Sequence, residues 1–375
     1  MDDPNSREAR IRILESCGAE SAHLEELLRY TDRVLCPPEV ARAVAIDDDE
    51  PHVAVWREYI DEARAVGAFE ALATRFVQLR FPVQAGISLT DSYRAATRRG
   101  EFEAAGGFPT RRLERPDDLD LTLAASMCGA IPILTAATRA DFEWLVSAFT
   151  ARNEPGTVPA SMGACIVSGL VNWDRVARQR AAWESTRSSG DGSASWPREL
   201  LRLSHQKELY QDRFVILSRG PYSAVAARDV GMDKSHWLER SLVIRREHEL
   251  THYFTQRRFG SMQNHVLDEI VADFVGLLRA MDEYRADLAT SLLGGRIGLY
   301  RGNPPLSDAA LGVIRVVSHR AIENLAALTR GHESQLRNLP DLAETVAQVG
   351  SQRLEALAAP EMPERVGALL VKKSI

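Results

Sequence analysis

The sequence predicts a mainly α fold of the α+β class, and three observations carry this. Apolar residues recur at helical spacing over long stretches of the chain. Extended runs are few and short, the clearest being Arg213–Ser218. A Ser- and Gly-rich stretch, STRSSGDGSASWP at 185–197, offers nothing to bury and reads as a linker. On this reading the chain divides into an α-rich N-terminal domain over 1–190, with no role attached, and a domain over 191–375 with a small β element and C-terminal helices.

The elements follow in order. Residues 8–32 place Ile, Leu and Ala at helical spacing, and the proline pair in CPPEV at 36–40 stops the pattern. Residues 53–80, rich in Ala, Arg, Val and Leu, predict another helix. In GISLTDSYRAATRRGEF, 86–102, a turn leads into a helix with Thr90 or Asp91 as cap. From 128 a short buried extended run precedes a helix with Thr138 as N-cap and Asp141 in its first turn. Beyond the linker, Gly220-Pro221 closes the strand at 213–218. Asp233 then caps a long helix, KSHWLERSLVIRREHELTHYFTQRRF, with Gly260 just past its end and Arg257 and Arg258 near the negative pole. A further helix begins near Asn264, with Val266, Ile270, Phe274, Leu277 and Met281 as its core-facing stripe. Residues 307–371 continue as helices broken near Pro340 and Pro360. The tryptophans of VNWDRV, WEST and SHWLER read as core or interface anchors, and the pairs Arg98–Arg99 and Arg111–Arg112 as solvated faces. The polar clusters RNEP, 152–155, and VNWDR, 171–175, have no evident role.

Composition narrows the function. Hydrophobic residues make up 45% and charged residues 26%, the balance of a globular protein. A net charge of −6, mixed in sign, provides no basic footprint for nucleic acid or an anionic membrane. The opening MDDPNSREARIRILESCG has no basic segment followed by an apolar one, and no run of about eighteen apolar residues occurs anywhere. The expectation is a cytoplasmic protein without nucleic-acid or membrane partners; nothing specifies its oligomeric state. Cys17, Cys36, Cys128 and Cys165 are far apart, form no CxxC pair, and read as buried reduced thiols.

The chemistry concentrates in IRREHELTHYF, 244–254. His248 and His252, four apart on a helix, lie one above the other on one face and can converge on a cation such as Zn²⁺. Glu249, turned by about 100° around the helix, cannot easily share that metal but can reach a water in an open position. Alone, such a motif arises by chance in roughly one or two of every hundred chains of this composition, so the following helix matters. Glu269 lies there, seventeen positions after His252, as the candidate third ligand, with Asp268 and His265 as rivals. Asp273, one turn further, is placed to accept a hydrogen bond from the second nitrogen of a ligating histidine.

HELTH followed by DEIVADFVG resembles the gluzincin group of zinc metallopeptidases, of which the thermolysin family is a member, and the second helix is also similar to the intracellular ImmA/IrrE-type peptidases. The resemblance covers about residues 236–280. It implies a zincin-like helix pair, His248, His252 and Glu269 as zinc ligands, Glu249 as general base, Asp273 behind the ligands, and a peptide or protein substrate. No His and Tyr motif for binding the oxyanion is evident; His319 is the residue named for that catalytic role, with Tyr253, Tyr222 and Tyr300 as alternatives. The strand RFVILS is open to two readings, a plain core strand or an edge strand that pairs with substrate. Against hydrolysis stand a non-catalytic zinc-stabilised binding or scaffold protein, and a helical interaction protein with an accidental motif, whose two helices lie apart.

Overall fold

The computed structural model describes residues 6–32, 45, 47–106, 113–186, 195–260, 266–281 and 283–364. The elements in chain order are α1 (Arg7–Ser16), α2 (Leu24–Thr31), α3 (His52–Val66), α4 (Ala68–Ala73), α5 (Asp91–Arg99), β1 (Asp120–Ser126), β2 (Gly129–Thr135), α6 (Arg139–Thr150), β3 (Ala164–Val171), α7 (Trp173–Ser185), α8 (Trp196–Leu203) and β4 (Gln211–Leu217). There follow α9 (Lys234–Phe259), α10 (Val266–Met281), α11 (Ala286–Gly294), α12 (Asp308–Thr329), α13 (Leu339–Gly350) and α14 (Leu354–Leu357). The fold is mainly α with one four-stranded sheet. No helix among the described residues is long and apolar enough to cross a membrane.

Two compact units form, and their boundary corrects the expected one. One comprises 47–125 and 129–224; the other comprises 1–46, 126–128 and 225–375. The division near 190 fails because β4 is hydrogen-bonded into the sheet, parallel to β2 (Ile133 opposite Val215) and antiparallel to β3 (Ile166 opposite Val215). The linker-like residues 187–194 lie outside the described residues.

In the sheet unit the strand order is β1-β2-β4-β3. RFVILS is therefore an inner strand, flanked on both sides, and its Phe214, Val215, Ile216 and Leu217 are all buried. The edge-strand reading is overturned: an inner strand has no free ladder groups to offer a peptide. Trp56, Phe76, Phe149 and Phe214 build the core, with Trp56 and Phe214 ring centroids 5.1 Å apart. The helix expected over 53–80 breaks at Gly67, whose φ of +89° suits glycine. A short helix, α4, and a 3₁₀ turn at Val77–Arg80 complete that stretch. Thr90 and Thr138 cap α5 and α6, accepting from Tyr93 N and Asp141 N.

Each unexplained polar cluster proves to be a network around one buried asparagine. Asn172 accepts from Asp174 N and Arg175 N at the start of α7, and its amide donates to Asp212 Oδ2 at 2.7 Å. Arg175 Nη1 and Trp56 Nε1 donate to the same carboxylate at 2.6 and 2.8 Å. Asn153 donates to Gln78 O and Phe81 O, and Glu154 accepts from Gly86 N and Ser88 N, which fastens one loop to another.

In the helical unit, α1 and α2 belong with the C-terminal helices rather than with an N-terminal domain. A guanidinium is one of the ties. Arg10 donates from Nε to Glu355 Oε1 of α14 at 2.5 Å, from Nη1 to Asp32 Oδ1 at 3.0 Å, and from Nη2 to Leu28 O at 2.8 Å. The helices are interrupted between Thr329 and Leu339, and Pro340 lies in the first turn of α13, where its missing N–H is no loss.

At the centre, α9 and α10 pack against each other along their lengths. Gly276 makes this possible: a Cβ there would lie 2.8 Å from Ile244 O. Gly276→Ala would gain about 1 kcal/mol of helix propensity, but it must push the backbones apart, a strain of about 1–3 kcal/mol. The variant is expected to melt lower than the wild type. Unchanged melting would show that the close approach of the two backbones adds nothing to stability.

Candidate metal centre

The cluster is built from the facing sides of this helix pair. Asp233 caps α9 by accepting from His236 N at 2.9 Å, and Gly260, at φ +77°, ends it. His248 and His252 project from α9 and are buried. Every described residue of α10 from Val266 to Leu278 is buried, although Asp268, Glu269 and Asp273 are among them. Charged groups so placed are stable only when paired or bound to a cation. Contacts run from Ile244 to Gly276, from His248 to Asp273 and from His252 to Glu269, so the helices are antiparallel. They are packed together, contrary to what an accidental motif implies.

His248 Nε2 and His252 Nε2 are 3.0 Å apart. Glu269 Oε2 lies 3.7 Å from the first, and Glu269 Oε1 lies 3.7 Å from the second. A tetrahedral zinc with bonds of 2.0–2.1 Å separates its ligands by about 3.3 Å, close to the spacings of the two nitrogens and the Glu269 carboxylate. His248 Nδ1 donates to Asp273 Oδ1 at 2.8 Å, which leaves its Nε2 lone pair facing the cluster. Two imidazole nitrogens that face each other repel unless a proton or a cation lies between them. His248, His252 and Glu269 form the group able to hold a metal among the described residues.

The electrostatics agree with the geometry. Burial works against the charge of Glu269, but His252, His248 and Arg296 outweigh it and hold its carboxyl well below the usual range. Asp273 follows the same pattern, with burial opposed by Arg296 and His248. Burial disfavours a charged His252, yet Glu269, with Glu249 and Asp268, holds its pKa up at about 9. Burial raises Glu249, against His248 and His252.

The other named residues sort themselves out. Asp268 is buried beside Glu269 and acts on His252 by charge, without joining the cluster. His265 lies outside the described residues, as do Cys36 and Arg111–Arg112. His319 is not at the site: it is an exposed residue of α12, on an apolar groove with Leu293, Ile297, Val316 and Ile322. The helix turns Val317, Ala321 and Ile322 inward and His319 outward. Tyr222 belongs to the sheet unit, and Tyr253 is buried with Arg257 stacked over its ring. Tyr300 is the tyrosine at the cluster, where burial, then the neighbouring Glu269 carboxylate, pushes its hydroxyl pKa up. Arg296, which pairs with both Glu269 and Asp273, has no sequence signal, standing alone in GGRIGLY.

Fold and site together define a mainly α protein with a small sheet, whose helical unit carries a buried His–His–Glu cluster of metal-binding geometry. The chain belongs to a family of unknown function (DUF7005), whose model matches residues 12–361. No curated protein and no solved structure matches it.

Proposed function

We propose that the protein is a zinc-dependent hydrolase, a metallopeptidase that cleaves an amide bond in a peptide or protein substrate. The observation that carries this reading is the convergence of His248 Nε2, His252 Nε2 and a Glu269 oxygen at spacings one tetrahedral cation spans, with Glu249 next in sequence to His248. The resemblance of HELTH and DEIVADFVG to the gluzincin helix pair supports it. Three donors rather than four, among the described residues, favour a site with an open position over a closed structural one. That is why hydrolysis is preferred to a non-catalytic scaffold.

Bound zinc supplies a Lewis acid and lowers the pKa of a water to about 7. Glu249 takes the proton from the attacking water and passes it to the leaving nitrogen; burial moves its pKa toward the working pH of such a base. Asp273 holds the His248 ring in the tautomer that leaves Nε2 unprotonated. Tyr300, beside Glu269, is the tyrosine we assign as donor to charge developing on the substrate carbonyl.

The purified full chain is expected to hold about one zinc. Hydrolysis of an unfolded protein substrate should stop with chelator and return with added zinc. His252→Ala should lose both metal and activity. Metal-free wild type, or turnover indifferent to chelation, would sink the proposal; bound zinc without any hydrolysis would favour the scaffold.

A further inference from the structure

We infer that Arg296 is a positioning residue of the metal centre: it engages one oxygen of Glu269, so that the carboxylate presents only the other to a metal. This rests on the metal reading above.

Arg296 Nη1 lies 3.1 Å from Glu269 Oε2, and Nη2 donates to Asp273 Oδ2. Asp273 Oδ1 in turn accepts from His248 Nδ1 at 2.8 Å. One planar fork thus spans a ligand and the acid that orients a second ligand. The side chain is only 12% exposed, so water competes little for these bonds. A Glu269 oxygen already bonded to a guanidinium is a poor second donor, because sharing it brings two cations together in a buried site. Glu269 Oε2 lies as near His248 Nε2 as Oε1 lies to His252 Nε2, 3.7 Å in each case, so the guanidinium bond to Oε2 is what singles out Oε1 for a metal.

The backbone that carries Arg296 is held from outside the helix pair. Arg296 N donates to Leu293 O at the end of α11, and the 3₁₀ turn Ile297–Leu299 leads to Tyr300. Tyr30 of α2 donates its hydroxyl to Tyr300 O at 2.7 Å. The Tyr30 ring lies against Gly302, where a Cβ would come within 3.0 Å of it. The N-terminal helices therefore brace the segment that brings both Arg296 and Tyr300 to the cluster.

The test loads full-length wild type, Arg296→Met and Arg296→Lys with Co²⁺, whose visible absorption is intense in four-coordinate sites and weak in five-coordinate ones. Zinc X-ray absorption gives the coordination number independently. Wild type is expected to show the intense band. Arg296→Met is expected to keep about one metal per chain but lose band intensity, as both Glu269 oxygens bind. Arg296→Lys keeps the charge without the fork, so its spectrum should fall between the two; it carries the test alone if the methionine variant does not fold. A merely structural ion pair would change stability but not coordination number. A folded, metal-loaded variant with the wild-type spectrum overturns the role of Arg296. Failure of wild type to bind either metal overturns the metal reading itself.

Discussion

Glu249→Gln is expected to remove turnover, by about 10²–10⁴-fold, while leaving about one zinc per chain. The two readouts separate because Glu249 stands outside the group of side chains whose donor atoms converge. The amide keeps the size and polarity of the carboxyl but cannot accept a proton. Its neighbours feel little else: Glu249 contributes to the raised pKa of His252, but after Glu269. Metal content by atomic absorption and hydrolysis of an unfolded protein, measured on the same preparation, check the prediction. Survival of both would remove Glu249 from the mechanism; loss of both would make it a structural or metal-holding residue.

Arg10→Met should be the most damaging single change away from the site. Glu355 is fully buried, and the Arg10 guanidinium serves it, Asp32 and the Leu28 carbonyl together. Removing one partner of a buried pair strands the other, at about 3–5 kcal/mol. Replacing both with apolar groups, Arg10→Met with Glu355→Leu, should recover most of the loss, since no buried charge remains. The pH dependence has a definite sign. Burial already raises the Glu355 pKa against the pull of Arg10, and losing Arg10 raises it further. An acid whose folded pKa is raised binds more protons folded than unfolded, so stability falls as pH rises between the two values. The deficit of Arg10→Met should therefore be greatest near neutrality and shrink toward the ordinary glutamate value, about 4.3. Urea midpoints across that range test it; a loss below about 1 kcal/mol at pH 7 would show that the pair contributes little.

Much of the helical architecture was legible because its signals are local. Asp233, Thr138 and Thr90 cap as their side chains and the apolar spacing after them predict. Gly260 ends α9 in the left-handed conformation that glycine tolerates. The strands were harder. β4 stood out by its β-branched run, whereas β1 and β3 went unread, being short runs with glycine, serine and alanine that only their neighbours make into a ladder. The networks of Asn153 and Asn172 likewise depend on partners scores of residues away.

By itself the sequence determined the mainly α class, the long helix bearing His248, Glu249 and His252, and the carboxylates one helix further on, since helical periodicity fixes which residues share a face. Only the tertiary structure decided that Glu269 rather than Asp268 meets those rings, that Asp273 turns to His248, that His319 faces outward, and that Arg296 and Tyr300 complete the surroundings. It also decided that the first two helices close on the last, through Arg10 and Glu355. The physical reason is common to all of these: each depends on the approach and rotation of one element against another. That is set by packing at points such as Gly276 against Ile244, and by hydrogen bonds between groups far apart in the chain, where spacing along the sequence carries no information.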